Sequence, residues 1–225
     1  MLMALLAVAG VASANDSKAC TEAAQKKQWI KALSPCTAAA KRGDAKAQFV
    51  LGVMYDNGQG VAQDYAQAVR WYTLAGEQGL AQAQFDLGFM YRNGRGVAQD
   101  YAQAVRWYTL AAEQGRSDAQ FNLGLLYVDG QGVAQDYAQA VRWWTLAAEQ
   151  GRSDAQHSLG LMYYEGQGVA QDYVRAHMWF NLSAVSGNAD SVKGRDLTAS
   201  QMTREQIAQA QRMARDCAAR KYKGC

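Results

Sequence analysis

The chain has 225 residues, 49% of them hydrophobic, and it contains a single proline. This composition excludes collagen-like, disordered and multi-span membrane proteins, and it fits one helical domain or a helical array. The net charge of +3 is uneven: residues 15–46 hold seven Lys or Arg against three Asp or Glu, residues 191–225 hold eight against three, and residues 47–190 hold eight against fourteen. Basic ends around an acidic middle argue against a nucleic-acid partner, which would favour one basic stripe. The alternative is a solvated surface that implies no partner.

The first fourteen residues, MLMALLAVAGVASA, have the features of an export signal. They carry no charged side chain, are too few to cross a bilayer, and end in the small-x-small pattern Ala12-Ser13-Ala14. We therefore predict a signal peptide over residues 1–14 that is cleaved after Ala14. The mature protein would be periplasmic or secreted and would not span a membrane.

A sixteen-residue stretch recurs at a period of 36 residues. The four copies are NGQGVAQDYAQAVRWY at 57–72, NGRGVAQDYAQAVRWY at 93–108, DGQGVAQDYAQAVRWW at 129–144 and EGQGVAQDYVRAHMWF at 165–180. Self-similarity at a period of about 20–50 residues marks an array of helical or strand units, none of which can bury its apolar face alone. The tryptophan that recurs in every copy is therefore interpreted as packing between repeats.

The first helix of each repeat, which we call helix A, is amphipathic. In the first copy the apolar side chains recur at i, i+4, i+7 and i+8, at Ala47, Leu51, Met54 and Tyr55. The helix is predicted to end near Gly58. The Gly58-Gln59-Gly60 segment that follows has no strand before it and no Lys after it, so we interpret it as a tight turn and not as a phosphate-binding loop.

The second helix, helix B, begins at the candidate N-cap Asp64, whose spacing to Gln67 is that of a capping box. It is predicted to stop at Gly79, because glycine suits the left-handed position that follows a helix end. The same glycine recurs with the period from Gly43 to Gly187. The register therefore extends to the segment before the first full repeat.

This register divides the chain into four segments. Residues 1–14 are the signal peptide, 15–44 are N-terminal capping helices, 45–188 are four repeats, and 189–225 are C-terminal capping helices. Trp29 falls in the register of Tyr65, and Thr203 with Gln206 predicts a capping box for a final helix. The polar, basic character of that helix suits a cap that faces water.

The chain has four cysteines, and an even count allows three pairings: Cys20, Cys36, Cys217 and Cys225. Stacked helix pairs would hold the two ends far apart, since neighbouring helices pack about 8–10 Å apart. Bonded cysteines need Cα atoms within about 7 Å. We therefore expect each end to carry its own disulfide. Free thiols and a metal site are weaker alternatives, because no pair has CxxC spacing and neither His lies near one.

The repeat spacing AQFxLGxxYxxGxGVxxDYxxAxxWYxxAAxQG, which begins at Ala47-Gln48-Phe49, resembles the Sel-one-like repeat (SLR) family. These repeats are relatives of tetratricopeptide repeats with a longer turn between their two helices. The resemblance implies an all-α fold, a right-handed α/α solenoid of helix pairs, and a non-enzymatic scaffold or adaptor role. In tetratricopeptide-like solenoids helix A lines the concave surface, so the resemblance also implies that helix A meets the partner.

The copies differ along one side of helix A. Positions 46, 50, 53 and 57 are spaced by four, three and four residues and share a face. From position 50 onward this row reads Val50, Val53, Asn57, Asp86, Phe89, Asn93, Asn122, Leu125, Asp129, Ser158, Leu161 and Glu165. We predict that it binds a protein or peptide with apolar anchors and some Lys or Arg. The alternative is that its apolar members pack on a neighbouring helix.

Catalytic patterns are absent from the sequence. His157 and His177 stand where other copies have Phe and Val, which indicates local repacking. HExxH and GxSxG do not occur, and no Ser is followed three residues later by Lys. We predict neither enzymatic activity, nor a metal, nor a cofactor. The alternative function is cell-wall or β-lactam binding or hydrolysis, which the resemblance suggests through a cysteine-rich SLR subgroup; here cysteines stand only at the ends.

Overall fold

The computed structural model describes residues 15–225, so the predicted signal peptide lies outside the described residues. The helices are α1 (residues 15–25), α2 (Trp29–Lys41), α3 (Ala45–Asn57), α4 (Tyr65–Glu77), α5 (Ala81–Asn93), α6 (Tyr101–Glu113), α7 (Ser117–Asp129), α8 (Tyr137–Ala148), α9 (Ser153–Glu165), α10 (Tyr173–Val185), α11 (Ala189–Ala199) and α12 (Arg204–Ala219). No strand occurs within residues 15–225.

The chain divides after Ala111 into two compact units. In the first unit α2 packs on α3, α3 on α4 and α4 on α5. In the second unit α7 packs on α8, α8 on α9, α9 on α10 and α10 on α11. This packing of consecutive helices confirms the predicted all-α solenoid of helix pairs. Helices A of the four repeats are α3, α5, α7 and α9, and helices B are α4, α6, α8 and α10.

Short polar side chains begin the helices B. The backbone N–H of Gln67 donates to Asp64 Oδ1 at 3.0 Å, which confirms the predicted N-cap, and the aspartates that begin α6, α8 and α10 accept the equivalent bond. The reciprocal capping box forms at α12. There the Gln206 N–H donates to Thr203 Oγ1 at 3.3 Å, and the Thr203 N–H donates to Gln206 Oε1 at 2.8 Å.

The two glycines of the GxG turn serve the backbone. Gly58 is the C-cap of α3 and has φ +67°, a left-handed conformation that glycine adopts without strain. Gly60 lies against the start of α2, where an added Cβ would stand 2.8 Å from the carbonyl carbon of Trp29. Gly96 lies against Tyr65 in the same way. Tight-turn geometry is therefore confirmed, and so is the shared register of Trp29 and Tyr65.

Each helix A packs against its helix B through a glycine and an aromatic ring. A Cβ added to the glycine would come within 2.3–2.6 Å of a ring atom, which is closer than any real contact. The pairs are Gly52–Tyr72, Gly88–Tyr108, Gly124–Trp144 and Gly160–Phe180. These rings are buried, so the contact fixes which side of helix A faces inward. The recurring tryptophan is also buried in three copies, at Trp107, Trp143 and Trp179, in agreement with its interpretation as packing.

Both ends of the described chain carry a disulfide between the cysteines expected to pair. Cys20 bonds to Cys36 and Cys217 bonds to Cys225, with Cα atoms 4.6 and 5.5 Å apart. Cys20 and Cys36 are completely buried in the cluster formed with α3. Cys217 is buried in the cluster that contains Trp179. Each bond therefore anchors a terminal segment to the core of its own unit.

The C-terminal cap folds back on the repeats of its unit. Helix α12 packs on α10, and the segment after it reaches the end of α8. The Gly224 N–H donates to Glu149 Oε1 at 2.9 Å, and the ring of Tyr222 lies 3.1 Å from the position of a Cβ on Gly151. The cap therefore spans more than the last repeat.

Candidate partner-binding surface

The helix A face is the set of twelve residues named in the sequence analysis, three from each helix A. On α5 the packed side consists of Leu87, Gly88 and Met90, which are buried, whereas Asp86 is half-buried and Phe89 is exposed. On α3, α7 and α9 the equivalent packed residues are likewise buried, whereas none of the twelve face residues is buried. The face is therefore the less buried side of helix A within each unit.

The apolar row of this face is graded in exposure. Phe89 is 43% exposed and Leu161 is 37% exposed. Val53 and Leu125 are half-buried and pack against the core clusters of their units. The row is thus neither wholly core nor wholly free: Phe89 and Leu161 offer the larger accessible apolar surface.

In residues 15–111 the last face residue of each helix A is an amide that bonds to its own helix. Asn57 Nδ2 donates to the Val53 carbonyl at 3.0 Å, and Asn93 Nδ2 donates to the Phe89 carbonyl at 2.7 Å. Each amide therefore bonds back to the carbonyl four residues earlier in its own helix, which fixes its orientation at the helix end.

In residues 112–225 the same two positions are carboxylates. Asp129 and Glu165 are the last residues of α7 and α9, and both are exposed. Among the residues that the structure describes, neither has a hydrogen-bond or ion-pair partner. A carboxylate cannot donate to the helix carbonyls, and its charge is disfavoured at the negative end of the helix dipole. The two units therefore present different chemistry at equivalent positions.

A polar cluster behind the face in the first unit was not found from the sequence. Asp56 Oδ1 pairs with Arg95 Nη2 at 3.2 Å, and the Arg95 guanidinium lies 4.0 Å from the ring centroid of Tyr65. Burial, together with Asp86 and Asp56 nearby, raises the pKa of Tyr72 far above its usual range. One signal was available, since Arg95 replaces the Gln that stands at this turn position in the other copies.

The two histidines lie in the last repeat, where His157 is half-buried. His157 Nδ1 lies 2.8 Å from Ser191 Oγ, Ser191 Oγ donates to Ser183 Oγ at 2.8 Å, and Ser183 Oγ donates to the Ser153 carbonyl at 2.7 Å. Both linking hydroxyls are completely buried, so they are closed to a substrate. His177 is buried as well. The arrangement joins α9, α10 and α11 and agrees with local repacking.

Burial lowers the pKa of both imidazoles. For His157 the nearby Asp190 opposes this effect, and for His177 the nearby Arg195 adds to it. Both rings are therefore held in the neutral form at neutral pH.

Residues 15–225 contain neither a metal-ligand cluster nor a membrane-spanning helix. No three His, Cys, Asp or Glu side chains in residues 15–225 are grouped as a metal site would require. No helix in that part of the chain is both long and apolar enough to cross a bilayer.

The repeat geometry matches a known family. A family model described as the Sel1 repeat matches residues 45–80, 81–115, 117–151 and 153–188. The chain belongs to the Sel1-repeat family. Each matched segment contains one helix A and one helix B, and Sel1 repeats generally serve as non-enzymatic scaffolds for protein–protein interaction. The expected SLR resemblance is confirmed.

Two solved structures resemble this Sel1-repeat chain over most of its length. One is c5321, a protective antigen present in uropathogenic Escherichia coli strains displaying an SLR fold, with 38% identity and a TM-score of 0.76 over 86% of this chain. The chain spans 42% of that protein's length. The other is a Sel1 repeat protein from Oxalobacter formigenes, with 32% identity and a TM-score of 0.72, and the match covers 88% of this chain and 74% of that one. Comparison with curated proteins gave no match.

Proposed function

We propose that the chain is an exported, non-enzymatic scaffold that binds a protein or peptide through the helix A face. The observation that carries this proposal is a contrast within near-identical repeats. The packed side of helix A keeps its small and apolar residues in all four copies, whereas the helix A face changes from copy to copy. Packing does not require this variation, and variation of that kind suits recognition of an asymmetric partner.

The chemistry of the face supports a polypeptide partner. Phe89 and Leu161 supply accessible apolar anchors, and amides, a hydroxyl and carboxylates surround them. Interfaces of this kind take their free energy from a few buried apolar or aromatic side chains, while polar groups at the rim set orientation. Residues 45–188 would form the binding array, and residues 15–44 and 189–225 would close its two ends.

The cysteines support export. Disulfides persist in oxidising compartments such as the bacterial periplasm or the extracellular space. All four cysteines of the chain are paired, and no free thiol is left in the described residues. Together with the expected signal peptide, this favours a periplasmic or secreted protein.

A matched pair of double variants tests the proposal. The first, Phe89→Ala with Leu161→Ala, removes the two most exposed apolar side chains of the helix A face. The second, Leu74→Ala with Leu146→Ala, removes two side chains of nearly equal exposure, 44% and 38%, from helices B. Each double variant changes one residue in each unit. The bait is the tagged full chain, and the prey is an envelope extract analysed by mass spectrometry.

We expect the parent and the helix B variant to capture the same protein and the helix A variant to lose it, with similar melting temperatures for all three. Equal capture by all three, or loss with the helix B variant alone, would contradict the proposal. Leu125 is left unchanged because its half-buried side chain packs on the core, so that its removal would mix stability with binding.

A further inference from the structure

The second unit presents an apolar and acidic version of the helix A face. Leu125 and Leu161 stand at equivalent positions of α7 and α9, and each precedes its carboxylate, Asp129 or Glu165, by four residues. Residues four apart lie on the same side of a helix. Each helix A in this unit therefore offers one apolar group and one negative charge side by side.

The other charges of these two helices are already neutralised at short range. The guanidinium of Arg116 pairs with Asp118, and Arg152 Nε pairs with Asp154 Oδ1 at 2.8 Å. Four further carboxylates in residues 112–225 also have partners: Asp136 and Asp172 accept from helix N-termini, Glu149 accepts from Gly224, and Asp190 pairs with Lys193. Asp129 and Glu165 are thus uncompensated, and they add to the negative end of their helix dipoles.

We infer that the helix A face of residues 112–225 docks a basic amphipathic segment of the partner. This rests on the proposed function and names the chemistry of its ligand. Apolar side chains of that segment contact Leu125 and Leu161, and its Lys or Arg side chains pair with Asp129 and Glu165. The equivalent amides in residues 15–111, Asn57 and Asn93, are neutral and bonded to their own helices, so those two positions do not select the charge of the partner.

Charge complementarity determines the sign of the charge that the bound segment carries. An acidic segment would place like charges together, and a wholly apolar one would leave two carboxylates facing low-dielectric surface. Exposed pairs of this kind are screened by salt, since the Debye length falls to about 8 Å at physiological ionic strength. Binding through this face is therefore selective for basic segments and weakens as salt rises.

The test uses a fluorescent amphipathic helical peptide of Leu and Lys as the probe, with a peptide of the same pattern in which Glu replaces Lys. The variant is Asp129→Asn with Glu165→Gln in the full chain. Its matched control is Glu77→Gln with Glu113→Gln, which removes two exposed carboxylates from the last residues of helices B, α4 and α6. Net charge and position at the helix end change equally in both, so nonspecific attraction is controlled.

We expect the parent and the control to bind the Lys peptide alike. We expect the Asp129/Glu165 variant to bind it about tenfold more weakly at low salt, because the effects of losing two exposed charge pairs combine. The difference shrinks as salt is added. Equal weakening by both variants, preference for the Glu peptide, or no binding of the Lys peptide by the parent would overturn the inference.

The Phe89→Ala with Leu161→Ala variant separates this inference from the proposed function. If that variant loses the captured envelope protein while the charge variant keeps it with unchanged salt dependence, the scaffold proposal stands and the basic-segment inference is wrong. If neither variant affects capture, the helix A face is not the binding surface and both fail.

Discussion

The two sides of each helix A obey different rules. The packed side is nearly constant. A leucine that is at most 1% exposed recurs in every copy, and the glycine after it packs against an aromatic ring; these leucines are Leu51, Leu87, Leu123 and Leu159. The helix A face reads Val, Asp, Asn and Ser at one position of the same four helices, and Asn, Asn, Asp and Glu at another. Since the packed side carries most of the buried contacts, the helix A face is freer to change, and a binding function is to be sought there.

The largest effect is expected from a substitution on the packed side of helix A. Leu87→Ala removes a completely buried side chain from α5 and leaves a cavity, so we expect it to lower the free energy of unfolding by about 2–5 kcal/mol. Phe89→Ala, two residues away on the same helix, removes a side chain that is 43% exposed and is expected to cost clearly less. Urea titrations of both variants measure this. Equal losses would show that the two sides of α5 are not distinct.

An intermediate loss of stability is expected when a buried glutamine that joins successive helix pairs is replaced. Gln120 Nε2 donates to the Ala112 carbonyl at 3.0 Å, and its Oε1 accepts from Gln150 Nε2 at 2.9 Å. Gln120→Leu keeps the volume but removes both bonds, so we expect a loss of about 1–3 kcal/mol in the free energy of unfolding.

The control is Gln139→Leu, at a half-buried position in the first turn of α8. This substitution should lower the free energy of unfolding less than Gln120→Leu does in the same urea titration. An equal or larger cost at the control position would mean that the amide chain contributes little.

The last repeat, in which His157 and His177 replace the Phe and Val of the other copies, is expected to show a pH dependence that the other repeats lack. Burial lowers the pKa of His157 and His177 below the value in the unfolded chain, so the folded state binds fewer protons. The stability that this neutral form contributes is complete above about pH 6.5 and is lost as pH falls through the lowered pKa values.

The variant that isolates this effect is His177→Val, which restores the residue of the other three copies. Melting temperatures of parent and variant between pH 7 and about pH 5 check it. We expect the variant to show the shallower decline, and parallel curves would contradict the assignment of the pH dependence to His177.

The smallest expected effect lies on the helix A face and has the opposite sign. Asp129→Asn removes a charge that the dipole of α7 disfavours and supplies an amide like those of Asn57 and Asn93. We expect stabilisation of about 0.3–1 kcal/mol. High-precision thermal melts at low salt measure it, and destabilisation would mean that Asp129 has a structural role.

Local sequence signals predicted much of the fold because the same signals recur in all four repeats. The helix ends at Gly58 and Gly79, the N-cap Asp64 and the helix pairs follow from periodicity and turn chemistry. The pairing of the cysteines followed from the distance between the chain ends in a stacked array.

Contacts between residues that are distant in sequence were not predictable in the same way. The chain from His157 to Ser153 through two buried hydroxyls links three helices, and the sequence displayed only isolated substitutions. The bond between Gly224 and Glu149 spans 75 positions and has no local signature. The helix A face was predicted from divergence between the copies together with the family resemblance, and only the structure separated half-buried Val53 and Leu125 from exposed Phe89 and Leu161.

Site-specific photocrosslinking in living cells tests the scaffold function most directly. A photoreactive amino acid is placed at position 89 or 161 on the helix A face, and at position 74 or 146 on helices B as matched sites of similar exposure. We expect a covalent adduct with the same protein from both helix A sites and none from the helix B sites. Adducts that form equally from all four sites, or from the helix B sites alone, would contradict it.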